Sequence, residues 1–158
     1  MITQAELKEL IIYNKDTGNF YRAKSNKLIT VKPDKDGHLR FKVKNIRLFA
    51  HRVAWLYETG SFPKLCIDHI DGNPANNKFN NLREATPKEN SRNSKMFKTN
   101  TSGVKGVYWH KGKSRWYAHC RVDNKRHYVG VFKNILDAEK AVNAFREKHH
   151  GAFANHGK

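Results

Sequence analysis

The chain has 158 residues, and its 31 lysines and arginines exceed its 14 acidic residues enough to give a formal net charge of +17. That length suits one ordinary domain or two small ones. A surplus of this size attracts polyanions, so nucleic acid is the first partner to expect, with an anionic membrane as the alternative. No apolar run approaches the roughly 20 residues of a spanning helix, and the first residues do not form a signal peptide. The composition excludes a membrane-spanning protein and predicts an intracellular, cytoplasmic one.

The two cysteines, Cys66 and Cys120, lie far apart in the sequence. An intracellular location argues against a disulfide between them. They cannot supply the paired cysteine motifs of a structural zinc site, so no structural zinc is expected. Cys66 is interpreted as a small buried hydrophobic residue.

The sequence of the N-terminal part predicts a short helix followed by β-hairpins. Thr3 and Glu6 form the pattern of a capping box, and the apolar spacing after them predicts a helix through about Tyr13. Residues 19–23 are typical of a strand.

A further hairpin and a helix are predicted just before the middle of the chain. The hairpin has arms at residues 38–43 and 46–50 around Lys44 and Asn45. A helix is expected from His51 to Glu58, ended by Gly60.

The most informative stretch runs from Cys66 to Asn90. It begins with an adjacent acid and imidazole, Asp68 and His69, and continues through a loop too rich in Asn, Gly and Pro for a helix or a central strand. Thr86-Pro87-Lys88-Glu89 then has the pattern of a helix start, which places Asn90 in the first turn. A carboxylate, an amide oxygen and a histidine in this order could form a small metal site with a base beside it.

The order and spacing of these residues resemble the HNH endonucleases, specifically the zinc-free branch among phage and intron-encoded homing endonucleases. The resemblance covers Ala50 to about Ser94, with matches at Asp68-His69, Asn81-Leu82-Arg83 and Glu89-Asn90. It implies a ββα-metal module in which His69 is the general base, Asp68 and Asn90 are metal ligands, and Asn81 holds the connecting loop. It also implies a phage or mobile-element gene expressed in a bacterial host.

The chemistry of these residue types agrees with that resemblance. Hydrolysis of a phosphodiester needs water deprotonated near neutral pH, and an imidazole with a pKa of about 6.5 is suited to that step. Two oxygen ligands are typical of a hard divalent cation such as Mg2+ or Mn2+. Asp71 is the one spare carboxylate nearby, so a single ion is expected rather than two.

Arginines around this stretch are candidates for contacts with phosphates. Arg52 adjoins the motif, Arg83 lies within it, and Arg92 lies in a polar, basic segment at residues 91–102. The motif's helix is expected to end near Phe97. The predicted organisation is an N-terminal and nuclease domain at 1–95, a basic linker at 96–102 and a C-terminal domain at 103–158.

The sequence of the C-terminal domain predicts three strands and one helix. The strands are expected at residues 104–110, 115–122 and 126–132, and the helix from Ile135 to about His149, capped by Asn134. Strand alternation gives the sheet an apolar face toward the helix and an opposite face of cations and rings. That second face contains the candidate DNA-binding residues Tyr108, His110, Arg115, Tyr117, His119, Arg121, Arg126 and Tyr128.

Residues from about Ser102 to Asn155 resemble the AP2 DNA-binding domain, known from plant transcription factors and as an appendage of phage HNH nucleases. The motifs that carry this resemblance include Gly106-Val107, Trp116 to Arg121 and Tyr128 to Phe132. The plant domains place arginines on the first strand, where this chain has Tyr108 and His110, so their target sequence is not transferred. An ordinary polar sheet surface is the alternative interpretation of the face.

The sequence as a whole predicts an α+β protein with N-terminal β-hairpins, a ββα-metal module and a small three-stranded antiparallel sheet packed on one helix. The predicted function is a site-recognising DNA endonuclease that nicks or cuts both strands with one divalent ion and a His base. Double-stranded DNA is the expected partner, and the protein is expected to be a monomer or homodimer. A non-catalytic DNA-binding regulator retaining the HNH scaffold is the alternative, and an RNA-binding protein is a weaker one.

Overall fold

The computed structural model describes residues 2–157 as an α+β protein, with four α-helices and nine strands in that range. The chain divides into two compact units, Met1–Thr86 and Pro87–Lys158. The predicted α+β class, with hairpins first and a three-stranded antiparallel sheet on a helix last, is confirmed. None of the helices within residues 2–157 combines the length and apolar character needed to cross a bilayer.

The first unit consists of three antiparallel hairpins and two helices. Each strand pairs with the next one in the chain, so every connection in these sheets is local. The elements are α1 (Gln4–Leu10), β1 (Ile11–Asn14), β2 (Asn19–Arg22), β3 (Arg40–Val43), β4 (Ile46–Phe49), α2 (Ala50–Thr59), β5 (Cys66–His69) and β6 (Leu82–Ala85).

Helix α1 begins at the predicted capping box. The amide of Glu6 donates to Thr3 Oγ1, and the amide of Thr3 donates to the Glu6 carboxylate. The helix ends at Leu10, which corrects the prediction that it continues to about Tyr13. Ile11 and Tyr13 instead alternate into the core from β1, because pairing with β2 buries both and satisfies their backbone.

The β3–β4 hairpin turns through Lys44 and Asn45, both with positive φ, of 47° and 64°. Two such residues give the backbone twist that a two-residue hairpin turn requires. Helix α2 follows β4 directly and ends at Thr59, and the φ of 84° at Gly60 suits a glycine that caps a helix C-terminus. The predicted hairpin and helix are both present.

The core of the first unit anchors the β5–β6 hairpin. Ile67 and Leu82, one from each of those strands, are buried in the same cluster as the apolar face of α2. Core residues are close-packed, so this anchoring fixes the backbone of Asp68 and His69, the last two residues of β5. Other members of the cluster include Leu7, Ile11, Phe20, Phe41, Val43, Val53 and Leu56.

The second unit contains one sheet and two helices. Its elements are α3 (Pro87–Arg92), β7 (Val107–His110), β8 (Arg115–Val122), β9 (Lys125–Phe132) and α4 (Ile135–His150). The antiparallel sheet has the order β7-β8-β9, and α4 packs on it through the fully buried Ala118, Ala138 and Val142. The small alanines allow helix and sheet to approach closely. Asn134 caps α4 as predicted, with Oδ1 accepting from the amide of Leu136 at 2.9 Å.

Three local predictions are wrong. Helix α3 ends at Arg92 rather than near Phe97, since Phe97 is 82% exposed and offers no apolar face to pack. Strand β7 begins at Val107, not at residue 104. Cys66 is exposed because it starts β5 on the side away from the core, whereas Cys120 is buried. The independence of domains 1–95 and 103–158, with a linker at 96–102, stays a prediction.

Candidate functional sites

Asp68 and His69 are held side by side at the end of β5. Both side chains are buried, with 4% and 5% of their surface exposed. In the β5–β6 register Asp68 lies opposite Arg83, and His69 lies opposite Leu82. Strand pairing and the core beneath it therefore place an acid and an imidazole next to each other in a sheltered environment.

The His69 ring is oriented by Asn77. Its Nε2 lies 3.3 Å from Asn77 Oδ1, and both side chains are buried. Burial lowers the pKa of His69, and His38 adds to this, while the Asn77 contact and the carboxylates of Asp71 and Asp68 act in the opposite direction. The net effect is a pKa below the usual value, so the imidazole is neutral at neutral pH and can accept a proton.

Arg83 forms an ion pair with Asp68. Its Nε and Nη2 both lie 2.7 Å from Asp68 Oδ2, and the Arg83 side chain is 19% exposed. A buried carboxylate needs such a partner to offset its loss of hydration. The structure therefore places this predicted DNA-contacting arginine on the carboxylate of the candidate site.

Asn81 makes several hydrogen bonds within the loop between β5 and β6. Its Nδ2 donates to Asp71 Oδ1 and to the carbonyl of Asn76, both at 2.9 Å, and its Oδ1 accepts from the amide of Asp71 at 3.0 Å. Its own carbonyl accepts from the amide of Ile70 at 2.9 Å. These contacts brace the loop that returns the chain from His69 to β6.

Asn77 is a site residue that sequence reasoning missed. It is 1% exposed, and its carbonyl accepts a hydrogen bond of 2.7 Å from the hydroxyl of Tyr13 in β1. Its Nδ2 also donates to the carbonyl of Ala75 at 3.1 Å. In the sequence it is one asparagine among several in a polar loop, and no local signal distinguishes it from its neighbours.

Two further histidines surround the His69 ring. His51, in the first turn of α2, and His38, just before β3, have ring centroids 5.3 Å and 5.8 Å from that of His69, and 5.3 Å from each other. Burial, with His69 and His38 nearby, lowers the pKa of His51 to about 3. Sequence analysis did not predict this cluster, because its members come from a loop, a helix and a strand that are distant in the chain.

The oxygen donors proposed for a hard cation are the carboxylate of Asp68 and the amide of Asn90. Arg83 bonds Oδ2 of Asp68, and a carboxylate can interact with two cations at once through its two oxygens. Asn90 is exposed on α3 in the second unit. Carboxylate and amide oxygens are the donor types that Mg2+ and Mn2+ prefer, so the chemistry of the set fits the expected ion.

The outer face of the C-terminal sheet is a continuous plate of rings. Tyr108 stacks on His119 with centroids 5.5 Å apart and ring planes within 10°, and it lies 5.7 Å from Tyr117. Tyr128 contacts both Tyr117 and His119, at 6.2 Å and 5.6 Å, and His110 lies 5.1 Å from Tyr117. Side chains from three strands thus share one face, as the alternation predicts.

Cations border the ring plate. Arg126 lies over the Tyr108 ring at 5.7 Å, and Arg121 is exposed beside it. Arg115 donates from Nη1 to the carbonyl of Ser114 at 2.8 Å. Burial and the charge of Arg126 lower the pKa of His119, so that ring adds polarity rather than charge. Flat rings beside guanidinium groups are suited to bases and phosphates.

The remaining predicted contact residues are engaged in other interactions. Arg52 is half-buried on α2, with its guanidinium 5.7 Å from the Phe62 ring. Arg92 Nη2 lies 2.9 Å from Asp123 Oδ1, and Lys88 Nζ contacts the same oxygen at 2.8 Å. Arg92 is therefore tied to the β8–β9 turn.

Comparison with known proteins identifies the family. Residues 48–92, which include the β5–β6 hairpin and α3, match the HNH endonuclease family, and the chain belongs to that family. A related protein is Protein 3.8 of Escherichia phage T7, which is 41% identical over 105 residues, covering 66% of this chain and 86% of the phage protein. Membership of the family implies nuclease activity.

A solved structure is also similar. It is entitled "DNA binding and cleavage by the HNH homing endonuclease I-HmuI", and the similarity has a TM-score of 0.43 and 31% identity. It covers 52% of this chain and 50% of that chain, so this chain spans about half the length of that protein.

Proposed function

We propose that this protein is a site-recognising DNA endonuclease that hydrolyses phosphodiester bonds with one divalent ion and His69 as general base. The observation that carries the proposal is the buried Asp68–His69 pair, whose imidazole is oriented by Asn77. A neutral, oriented imidazole is the group needed to take a proton from water near neutral pH. Membership of the HNH family supports the same assignment.

The tautomer of His69 follows from its contact with Asn77. When Nε2 carries the hydrogen and donates to Asn77 Oδ1, the lone pair is on Nδ1. Nδ1 is then the atom that accepts the proton from the attacking water. Asn81 braces the loop that carries Asn77, so both asparagines act on the base through position rather than through contact with DNA.

Asp68 and Asn90 are the proposed ligands of a single Mg2+ or Mn2+ ion. Such an ion supplies positive charge where the scissile phosphate and the leaving oxygen gather negative charge. Arg83 holds the Asp68 carboxylate in place through two bonds to Oδ2. The assignment of Asn90 as a metal ligand rests on the resemblance to the zinc-free HNH enzymes.

The C-terminal sheet is the proposed DNA-docking surface, in the manner of an AP2-like domain. Its ring plate and the bordering Arg115, Arg121 and Arg126 offer stacking surfaces and phosphate contacts on one side, while α4 covers the other. A β-ribbon fits the major groove of duplex DNA. Arg52 and Arg92 are proposed to add phosphate contacts, and the net charge of +17 supports a DNA partner.

Cleavage of supercoiled plasmid tests the proposal directly. The plasmid should carry DNA from the gene's own neighbourhood, and wild type should be compared with His69→Ala in Mg2+ and in EDTA. We expect Mg2+-dependent nicking or linearisation by wild type, and a loss of at least about 100-fold in His69→Ala, since general bases contribute about 10²–10⁴-fold. Gel-shift binding should persist in the variant.

His149→Ala is the matched control, because His149 is an exposed histidine in the last turn of α4. It should cut as wild type does. Tight binding to the gene's own DNA without cleavage in any divalent ion would contradict the proposal and favour the non-catalytic regulator. Open-circle accumulation would indicate a nicking enzyme, and direct linearisation a paired cut.

A further inference from the structure

We propose that His38, His51 and His69 form a second ion site, made only of imidazoles, that binds a borderline transition-metal cation such as Zn2+, Co2+ or Ni2+. This site is distinct in ligand chemistry from the oxygen set of Asp68 and Asn90. It also differs from a cysteine-based structural zinc site, because all three of its ligands are histidines.

The geometry of the cluster is close to that of three imidazoles on one ion. The ligand nitrogens of the three rings lie within 4.8 Å of one another. A tetrahedral ion with metal–nitrogen distances near 2.0–2.1 Å needs nitrogens about 3.3 Å apart and ring centres about 5 Å apart. The observed centroid separations of 5.3 Å, 5.3 Å and 5.8 Å are within about 1 Å of that spacing, so binding requires the rings to close around the ion.

Two buried imidazole nitrogens of the cluster make no hydrogen bond within the described part of the chain. Within residues 2–157, Nδ1 of His38 and Nδ1 of His51 are buried and make no hydrogen bond. A buried polar atom without a partner is energetically unfavourable, so its persistence calls for an explanation. A cation shared by these rings would satisfy both atoms at once.

Charged groups around the cluster act on a bound cation in both directions. The carboxylates of Asp68 and Asp71 act electrostatically on His69 and favour positive charge there. Burial is the main influence that opposes positive charge on His51, and Arg52 and Arg40 add to it. Arg40 is partly neutralised by Asp34 at 3.1 Å, so the opposition is reduced.

The three histidines differ in accessibility. His51 and His69 are buried, whereas His38 is half-buried. His38 is therefore the member of the cluster that is most accessible to solvent.

Imidazole nitrogen selects the class of ion. It is a preferred ligand for Zn2+, Co2+, Ni2+ and Cu2+, whereas Mg2+ takes oxygen ligands and gives up its water reluctantly. The three histidines should therefore not bind Mg2+ at the concentrations that support cleavage. One consequence rests on the proposed function: an ion at this site occupies the imidazole of His69, so Zn2+ should inhibit cleavage supported by Mg2+.

Titration of the protein with Co2+ tests the site without DNA. Tetrahedral Co2+ absorbs visible light, so we expect a band that saturates at one equivalent, is bleached by Zn2+ and is unchanged by excess Mg2+. His38→Gln and His51→Gln should each weaken Co2+ binding by at least about tenfold, since each removes one of three ligands. His149→Gln should leave the titration unchanged, because His149 lies on α4 in the other unit.

Thermal unfolding monitored by circular dichroism should accompany the titrations. His38 is half-buried, so His38→Gln is expected to fold even if His51→Gln does not. Absence of a saturating band in wild type, or an unchanged band in folded His38→Gln, would overturn the inference. Because Co2+ binding is measured without DNA, its failure leaves the nuclease proposal standing, and failure of cleavage leaves the ion site standing.

Discussion

At the scale of single residues, Asn77 determines how His69 is presented. A buried imidazole can adopt two tautomers, and the partner of one ring nitrogen decides which atom is left to act as a base. Asn77 Oδ1 lies 3.3 Å from Nε2, and the carbonyl of Asn77 is itself fixed by the hydroxyl of Tyr13 at 2.7 Å. Through Tyr13, the β1–β2 hairpin therefore helps to hold the candidate base His69 in position.

Asn77→Ala should therefore impair cleavage more than DNA binding. The substitution removes the group that selects the tautomer, and we expect cleavage to fall by about 10–100-fold, the usual cost of losing such an outer partner. Single-turnover cleavage under saturating protein, together with a gel-shift titration, measures the two effects separately.

Tyr13→Phe is the matched control for Asn77→Ala. It deletes the hydrogen bond to the Asn77 carbonyl but keeps the Asn77 amide, so it should cost about 1 kcal/mol in the free energy of unfolding and change the cleavage rate less. Equal losses of cleavage in the two variants would contradict the orienting role of the amide and indicate a purely structural one.

At the scale of elements, the C-terminal sheet depends on a close approach at Gly106. Its φ is +83°, and a Cβ there would lie 2.4 Å from the carbonyl oxygen of His119. The carbonyl of Gly106 also accepts a hydrogen bond of 2.8 Å from the amide of His119. Glycine is needed here because it adopts a positive φ without strain and has no Cβ to clash with β8. Both properties let the backbone pass close to β8 just before β7 begins.

Gly106→Ala should destabilise the protein much more than Gly103→Ala. Both residues have positive φ, but an added Cβ at Gly103, where φ is +76°, meets nothing within 4 Å. Gly103→Ala should cost about 1 kcal/mol from backbone strain alone, whereas Gly106→Ala should cost at least about 2 kcal/mol more because of the clash. Urea unfolding of the full chain measures both, and equal costs would contradict the role assigned to the close approach.

At the scale of the whole molecule, the charge of +17 sets the strength of any interaction with a polyanion. Neutralising phosphates releases counterions, so affinity for duplex DNA should fall steeply with salt. The ring plate and its arginines would concentrate part of that interaction on one face of the sheet.

Arg126→Ala should reduce the salt dependence of duplex binding. If Arg126 contacts a phosphate, the slope of log affinity against log salt should decrease in magnitude by about 0.9. Lys140→Ala is the control of equal charge change, since Lys140 is exposed on α4, the helix that covers the opposite side of the sheet. Fluorescence anisotropy over a range of salt measures both slopes, and an equal change in the two variants would argue against docking through the sheet face.

The sequence by itself determined the features that are encoded locally. The capping box at Thr3, the turn at Lys44 and Asn45, and the alternation along β8 depend on residues close in the chain, and the structure contains each of them. The three-stranded C-terminal sheet and the helix that follows it were predictable for the same reason, because strand alternation and the Asn134 cap are local signals. The end of α1 could not be predicted from the sequence, because the pairing of β1 with β2 overrides the helical spacing of Ile11.

Only the tertiary structure decided which side chains meet. The contact of Asn77 with His69, the pairing of Arg83 with Asp68, and the grouping of His38 with His51 and His69 each join residues from different elements. Composition and periodicity record which face of an element is apolar, but not which partner covers it. The common core of the hairpins and α2 makes that choice, because burying Ile67 and Leu82 against it fixes the end of β5 and so determines what surrounds His69.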